Sequence, residues 1–244
     1  KQLLQHALRI QKECIAAQES VQSNKDNPTG TVYFGVPSAY SVTIVPPLLE
    51  RMAILYPNIS VRIVEAFSGT IYEWLVSGRL DLAILYYSKE HDAADTTPFM
   101  HEEMRAYSTK EIIAGKDEFP LAELGDQKLI LPWRPHMLRL AVESAFIAAA
   151  IPLEPSIEID SMPCLKELAH RGDGVTILPP SSVAREIADG RLHGVPLQPS
   201  IKLTTVLGQT PNRQPTRAVG ILSNTLKNLA RELAPVTGWT VTVK

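Results

Sequence analysis

Ser68, Gly69 and Thr70 stand between an apolar run that ends near Val64 and a short apolar stretch, Ile71 to Val76, closed by Gly78. This is the grammar of a strand, a polar turn and a helix. A turn at the carboxyl end of a parallel strand that opens a helix exposes backbone N–H groups. Together with the helix dipole, these favour an anion or a carboxylate. Ser68 and Thr70 add hydroxyls, and Gly69 lets a ligand approach the backbone closely. Two readings stay open: Ser68 is the N-cap of the helix, which stabilises it by about 1 kcal/mol, or the turn is one wall of a binding site. The second gains from a turn of the same kind, Pro37-Ser38-Ala39-Tyr40-Ser41, after the preceding strand. In a parallel sheet both turns fall at one edge.

Other chemistries find little support. The 6 histidines have no ligand-like spacing, and His101-Glu102-Glu103 lacks the second histidine of a zinc-protease helix. No Gly-x-Ser-x-Gly elbow or phosphate loop occurs, and Gly172-Asp173-Gly174 is too short to be more than a turn. Cys164 lies beside Leu165 and Leu168 at helical spacing and is expected to be buried and inert. No cofactor, metal or catalytic residue is expected.

The elements around these turns alternate. Strands are expected at Thr31–Val36, Ile59–Val64 and Leu80–Leu85. Helices are expected at Ile44–Tyr56, with Pro46 and Pro47 near its first turn, and at Thr70–Val76. The order repeats downstream. A strand at Lys128–Leu131 is followed by the turn Trp133–His136 and a helix from Leu138 to Ala150. A strand at Ser156–Ile159 is followed by Asp160 and Ser161, which cap a helix ending near Arg171. A strand at Val175–Leu178 follows, with a helix opened by Pro179 and Pro180. A long amphipathic helix closes the chain, about Ala218–Leu233. Two such halves predict an α/β protein of two Rossmann-like subdomains, whose polar turns face a common cleft.

The 244 residues carry a net charge of −2, and 45% of them are hydrophobic. That suits two modest cores and gives no bulk signal for nucleic acid. The 2 cysteines, Cys14 and Cys164, form no disulfide framework, which favours a reducing cytoplasmic setting. No apolar run reaches the roughly 20 residues of a membrane span. At the start, Leu3, Ala7, Ile10, Cys14, Ala17 and Val21 alternate steps of four and three, a heptad stripe. It suits either a helix lying on its own domain or a dimerising helix. It ends in the polar loop Ser23–Pro28.

"SGRLDLAIL" (Ser77–Leu85), "KLILPWRPHMLR" (Lys128–Arg139) and "GDGVTILPPSSVAREIADGRL" (Gly172–Leu192), in this order and spacing, resemble the effector module of LysR-type transcriptional regulators. The first is also reminiscent of regulators of nitrogen assimilation. The resemblance implies a periplasmic-binding-protein type II-like fold with crossover strands near Tyr107–Ile113 and Leu203–Gln209. It implies a linker and dimerisation helix with its loop at 1–27, subdomain I at 28–108 and 209–244, and subdomain II at 109–208. It implies a small anionic effector in the cleft, held by Ser38, Ala39, Tyr40, Ser41, Ser68, Gly69, Thr70, Ile71, Pro135, His136, Ser161 and Met162. It also implies a dimer or tetramer, and DNA contact through a helix-turn-helix preceding this segment. The competing readings are a periplasmic solute-binding protein and an enzyme using the same cleft. The first gains nothing from a heptad helix. The second needs a paired acid and base that the sequence does not offer.

Overall fold

A computed structural model of the chain describes Ile10, Cys14 and residues 27–88, 93–113, 115–211 and 213–242. Of the heptad stripe, Leu3, Ala7, Ala17 and Val21 lie outside the described residues. Ile10 and Cys14 are helical and exposed. The fold divides into two compact units: Lys1–Met100 with Thr205–Pro235 and Val241–Lys244, and His101–Thr204 with Val236–Thr240. The chain passes between units inside its two long strands, after Met100 and after Thr204. The expected boundaries, after Ser108 and before Gln209, lie further along the same strands.

In the first unit, strand β1 (Gly30–Val36) leads to helix α1 (Ser38–Leu55), strand β2 (Ile59–Glu65), helix α2 (Ser68–Val76) and strand β3 (Leu82–Tyr86). β1 pairs in parallel with β2 over its whole length, from Gly30↔Ile59 to Val36↔Glu65, and with β3 at Phe34↔Leu82. β3 pairs antiparallel with the end of the long strand β9 (His193–Gln209). Every β3 residue is buried, as expected of a strand covered on both faces. Gly35 is required here. A Cβ on it would lie 2.6 Å from Leu80 Cδ1 and 2.8 Å from Ile71 Cγ2.

Helix α1 starts at Ser38, earlier than the prolines suggest. Pro46 and Pro47 lie inside it, not in its first turn. An interior proline costs about 3 kcal/mol. Ile44, Leu48 and Met52, on one face, are each no more than 2% exposed. Burying three such side chains at about 1.5–3 kcal/mol each, together with Tyr40 in the first turn, offsets the cost of both prolines.

The second unit takes in most of the strand β4 (Asp95–Ser108), then helix α3 (Lys110–Ile113), strand β5 (Phe119–Pro120) and helix α4 (Leu121–Leu124). Strand β6 (Ile130–Leu131) and helix α5 (Met137–Ala148) follow, then strand β7 (Ile157–Glu158) and helix α6 (Met162–His170). Strand β8 (Thr176–Leu178) precedes a 3-10 turn at Pro180–Ser182 and helix α7 (Ala184–Ala188). The proline-opened helix is therefore broken at Val183. β6 and β7 are parallel at Ile130↔Ile157 and Leu131↔Glu158, and β8 pairs antiparallel with β4 at Ala106↔Ile177.

The first crossover strand runs over Asp95–Ser108 rather than Tyr107–Ile113, whose later residues form α3. Its inward register holds Met100, Glu102, Met104 and Ala106. Glu102 masks the alternation in the sequence. It is buried because its carboxylate accepts from the Ser181 amide at 3.2 Å and the Ser181 hydroxyl at 2.8 Å. Helix α8 (Arg217–Thr237) closes the chain, with strand β10 (Thr240–Val241) after it. Within the first unit Arg51 of α1 grips Glu232 of α8 through both terminal nitrogens, at 2.8 and 2.6 Å.

Candidate functional site

In the first unit the last β1–β2 pair, Val36↔Glu65, brings the starts of α1 and α2 to one edge of the sheet. Pro37 is the N-cap of α1 and makes no side-chain cap bond. Ser38, Ala39, Tyr40 and Ser41 are thus the first helical turn, not a loop. Ala39 and Tyr40 are buried, and the Tyr40 ring lies 5.9 Å from that of Tyr86. The Ser41 hydroxyl donates to the Ser38 carbonyl at 3.2 Å. Ser38 is half-buried, and its hydroxyl makes no hydrogen bond to the described chain.

Phe67 is the N-cap of α2, and Ser68 is its first helical residue, so the expected capping role of Ser68 is corrected. Its side chain is buried instead, and its hydroxyl oxygen accepts from the Tyr86 amide at 3.3 Å, tying α2 to β3. Gly69 is exposed, and a Cβ there would meet nothing within 4 Å. Thr70 is half-buried with a hydroxyl unclaimed by the described chain. Ile71 has no exposed surface, packs in the core with Leu75 and Leu80, and donates its amide to the Phe67 carbonyl. It therefore offers a ligand neither side chain nor N–H. The first amides of each helix have no intrahelical acceptor, so this edge presents N–H groups beside the Ser38 and Thr70 hydroxyls.

In the second unit the same arrangement recurs at the ends of β6 and β7. His136 is the N-cap of α5, and its Nδ1 accepts from the Leu138 amide at 3.1 Å. That bond requires a lone pair on Nδ1, so the ring's proton sits on Nε2. Burial pushes the His136 pKa below its ordinary value, and the charge of Asp160 opposes this. The field of Asp160 at His136 links the two turns of this unit. Ser161 is the N-cap of α6, yet its side chain makes no cap bond, contrary to expectation. Its hydroxyl is unclaimed by the described chain, and Met162 beside it is half-buried. Pro135 is exposed.

Several supporting residues escaped the sequence. Glu143, buried on α5, takes Arg134 Nε at 2.8 Å and Arg139 Nε at 2.6 Å. Arg139 also reaches Glu158 at 2.5 Å. The network pins the Trp133–His136 turn to α5 and β7. The Arg134 guanidinium, with Arg139, holds the Glu143 carboxyl below the usual range. The four-residue step from Arg139 to Glu143 was legible as a helical pair; Arg134 and Glu158 carried no signal. Asp81 of the "SGRLDLAIL" run is structural. It accepts from the Tyr33 amide at 2.8 Å and pairs with Arg213 at 3.2 Å. Cys164 is exposed, not buried. Among the described residues no cluster of His, Cys, Asp and Glu could hold a metal ion, and no helix is long and apolar enough to cross a membrane.

The LysR substrate binding domain model matches residues 25–231. The chain belongs to this family. Among its relatives is the HTH-type transcriptional regulator BbuR of Bordetella bronchiseptica, 29% identical over 91% of this chain and 69% of that protein. The nitrogen assimilation regulatory protein Nac of Klebsiella aerogenes is 26% identical over 75% of this chain and 59% of its own. In fold the domain is similar to the Synechocystis CcmR regulatory domain in complex with 2-PG, with a TM-score of 0.76 and 19% identity over 84% of this chain and 99% of that one. It is also similar to the effector-binding domain of QuiR in complex with shikimate, with a TM-score of 0.75 and 16% identity over 84% and 98%. The architecture is the periplasmic-binding-protein type II-like fold of LysR effector domains. BbuR is a transcriptional regulator and Nac a regulatory protein of nitrogen assimilation.

Proposed function

We propose that this domain senses a small anionic metabolite, bound in a cleft between its two units, and passes the signal to a DNA-reading part of a dimeric or tetrameric regulator. The observation that carries the reading is the pair of helix starts at one edge of the first unit. Fixed N–H groups there stand beside the unclaimed Ser38 and Thr70 hydroxyls and the open space over Gly69. Such an arrangement favours negative charge. Ser161 and His136 supply the matching groups of the second unit. The small ligands held by the CcmR and QuiR domains support a metabolite effector. To act, the ligand must bind one relative orientation of the units better than another. In this reading it changes the geometry of the oligomer, and so the bend or spacing of bound DNA, more than raw DNA affinity.

The test is a thermal-shift screen of small carboxylates and phosphates on the wild type and on Gly69→Leu. At least one compound should raise the melting temperature of the wild type. The leucine side chain fills the open space, so the same compound should leave the variant unmoved while its unliganded melting temperature stays close to wild type. A compound that stabilises both proteins equally would place the effector elsewhere.

A further inference from the structure

A cavity of about 660 Å³ opens within the second unit, along the flank of α6. Its volume lies in the roughly 300–1,000 Å³ range of small-molecule sites. Ile159, Pro163 and Leu168 line it with apolar surface. Its charged groups divide into two sets. Lys166 Nζ lies 2.6 Å from Glu186 Oε1, both side chains largely buried, and this pair cancels. Glu167 instead receives two guanidiniums, Arg191 at 2.6 Å and Arg171 at 3.2 Å. One carboxylate cannot neutralise both, so the site keeps a positive charge. Each guanidinium has five N–H donors, and each donates through one nitrogen to Glu167, leaving donors for a further acceptor.

We propose that this cavity is a second small-molecule site, taking an amphipathic monocarboxylate. Its apolar body lies against Ile159, Pro163 and Leu168, and its carboxylate meets Arg171 and Arg191. The site is independent of the effector reading above, because none of Ser38, Gly69, Thr70, His136 and Ser161 lines the cavity. An apolar body without the charge wastes the arginines, and a cation meets the surplus positive charge.

Cys164 lines the same cavity with an exposed thiol, which makes occupancy measurable. The experiment alkylates the full chain with a maleimide and follows Cys164 and Cys14 separately by peptide mass, with octanoate or octylammonium present. Octanoate should slow labelling of Cys164 and leave Cys14, also exposed, unchanged. Octylammonium should protect neither. In the Arg171→Gln/Arg191→Gln variant, the octanoate needed for half protection should rise about tenfold or more, the span of lost charge-assisted hydrogen bonds. Gly69→Leu should retain full protection even if the effector reading fails. Equal Cys164 labelling with and without octanoate overturns the proposal. Equal protection by octylammonium, or loss of protection in Gly69→Leu, overturns it as well.

Discussion

At the scale of single residues, Ser68 and Thr70 sit two positions apart and do different work. The Ser68 hydroxyl is a buried tether to the Tyr86 amide. Ser68→Ala removes that hydrogen bond, a loss of about 0.5–1.5 kcal/mol of stability. Thr70 has a half-buried hydroxyl that no described group claims. Thr70→Val keeps the shape and removes the hydroxyl, so the melting temperature should hardly move. If the hydroxyl donates to a charged effector, affinity should fall by roughly 1.5–3 kcal/mol, about tenfold or more. Calorimetric affinity beside a thermal melt for each variant checks both. A Thr70→Val protein that binds effector like the wild type would remove Thr70 from the site.

At the scale of elements, α5 depends on an unusual cap. His136 accepts the Leu138 amide only while Nδ1 is unprotonated. Burial depresses its pKa in the fold, so the unfolded chain binds the proton more readily. The stability it contributes is fully present above the unfolded value of about 6.5. It is lost as pH falls from there through the depressed folded value. Asn is a favourable N-cap that does not titrate. Thermal melts from neutral pH to about one unit below 6.5 should therefore show a smaller loss for His136→Asn than for the wild type. Parallel losses would mean that other groups carry the pH dependence. Glu143, held below its usual range by Arg134 and Arg139, acts in a lower window. Its share persists above the ordinary carboxylate value and disappears only as pH falls through the depressed one.

At the scale of the whole molecule, the regulator reading requires association between chains. The heptad stripe supplies a candidate surface, and Ile10 and Cys14, its described members, are exposed in the single chain. Leu3→Asp with Ile10→Asp places charge on that stripe. The double variant should associate more weakly by light scattering at a concentration where the wild type is a dimer or tetramer. An unchanged mass would free the stripe from the interface.

The sequence by itself determined the alternation of strands and helices over 30–86 and 128–188, the polar helix starts and the family. These rest on local signals: hydrophobic period, glycine and proline punctuation, and short motifs in a set order. Even Gly78, read as a helix stop, has the positive φ of 74° that the role requires. Only the tertiary structure decided where α1 begins, because burial of Ile44, Leu48 and Met52 overrides Pro46 and Pro47. It alone placed β4, because Glu102 can point inward only once Ser181, distant in sequence, satisfies its carboxylate. It also sorted the helix starts into exposed groups such as Gly69 and buried ones such as Ile71. Propensity and spacing are set by near neighbours along the chain. Burial and hydrogen-bond satisfaction are set by residues far along it, and those partners become visible only when the chain has folded.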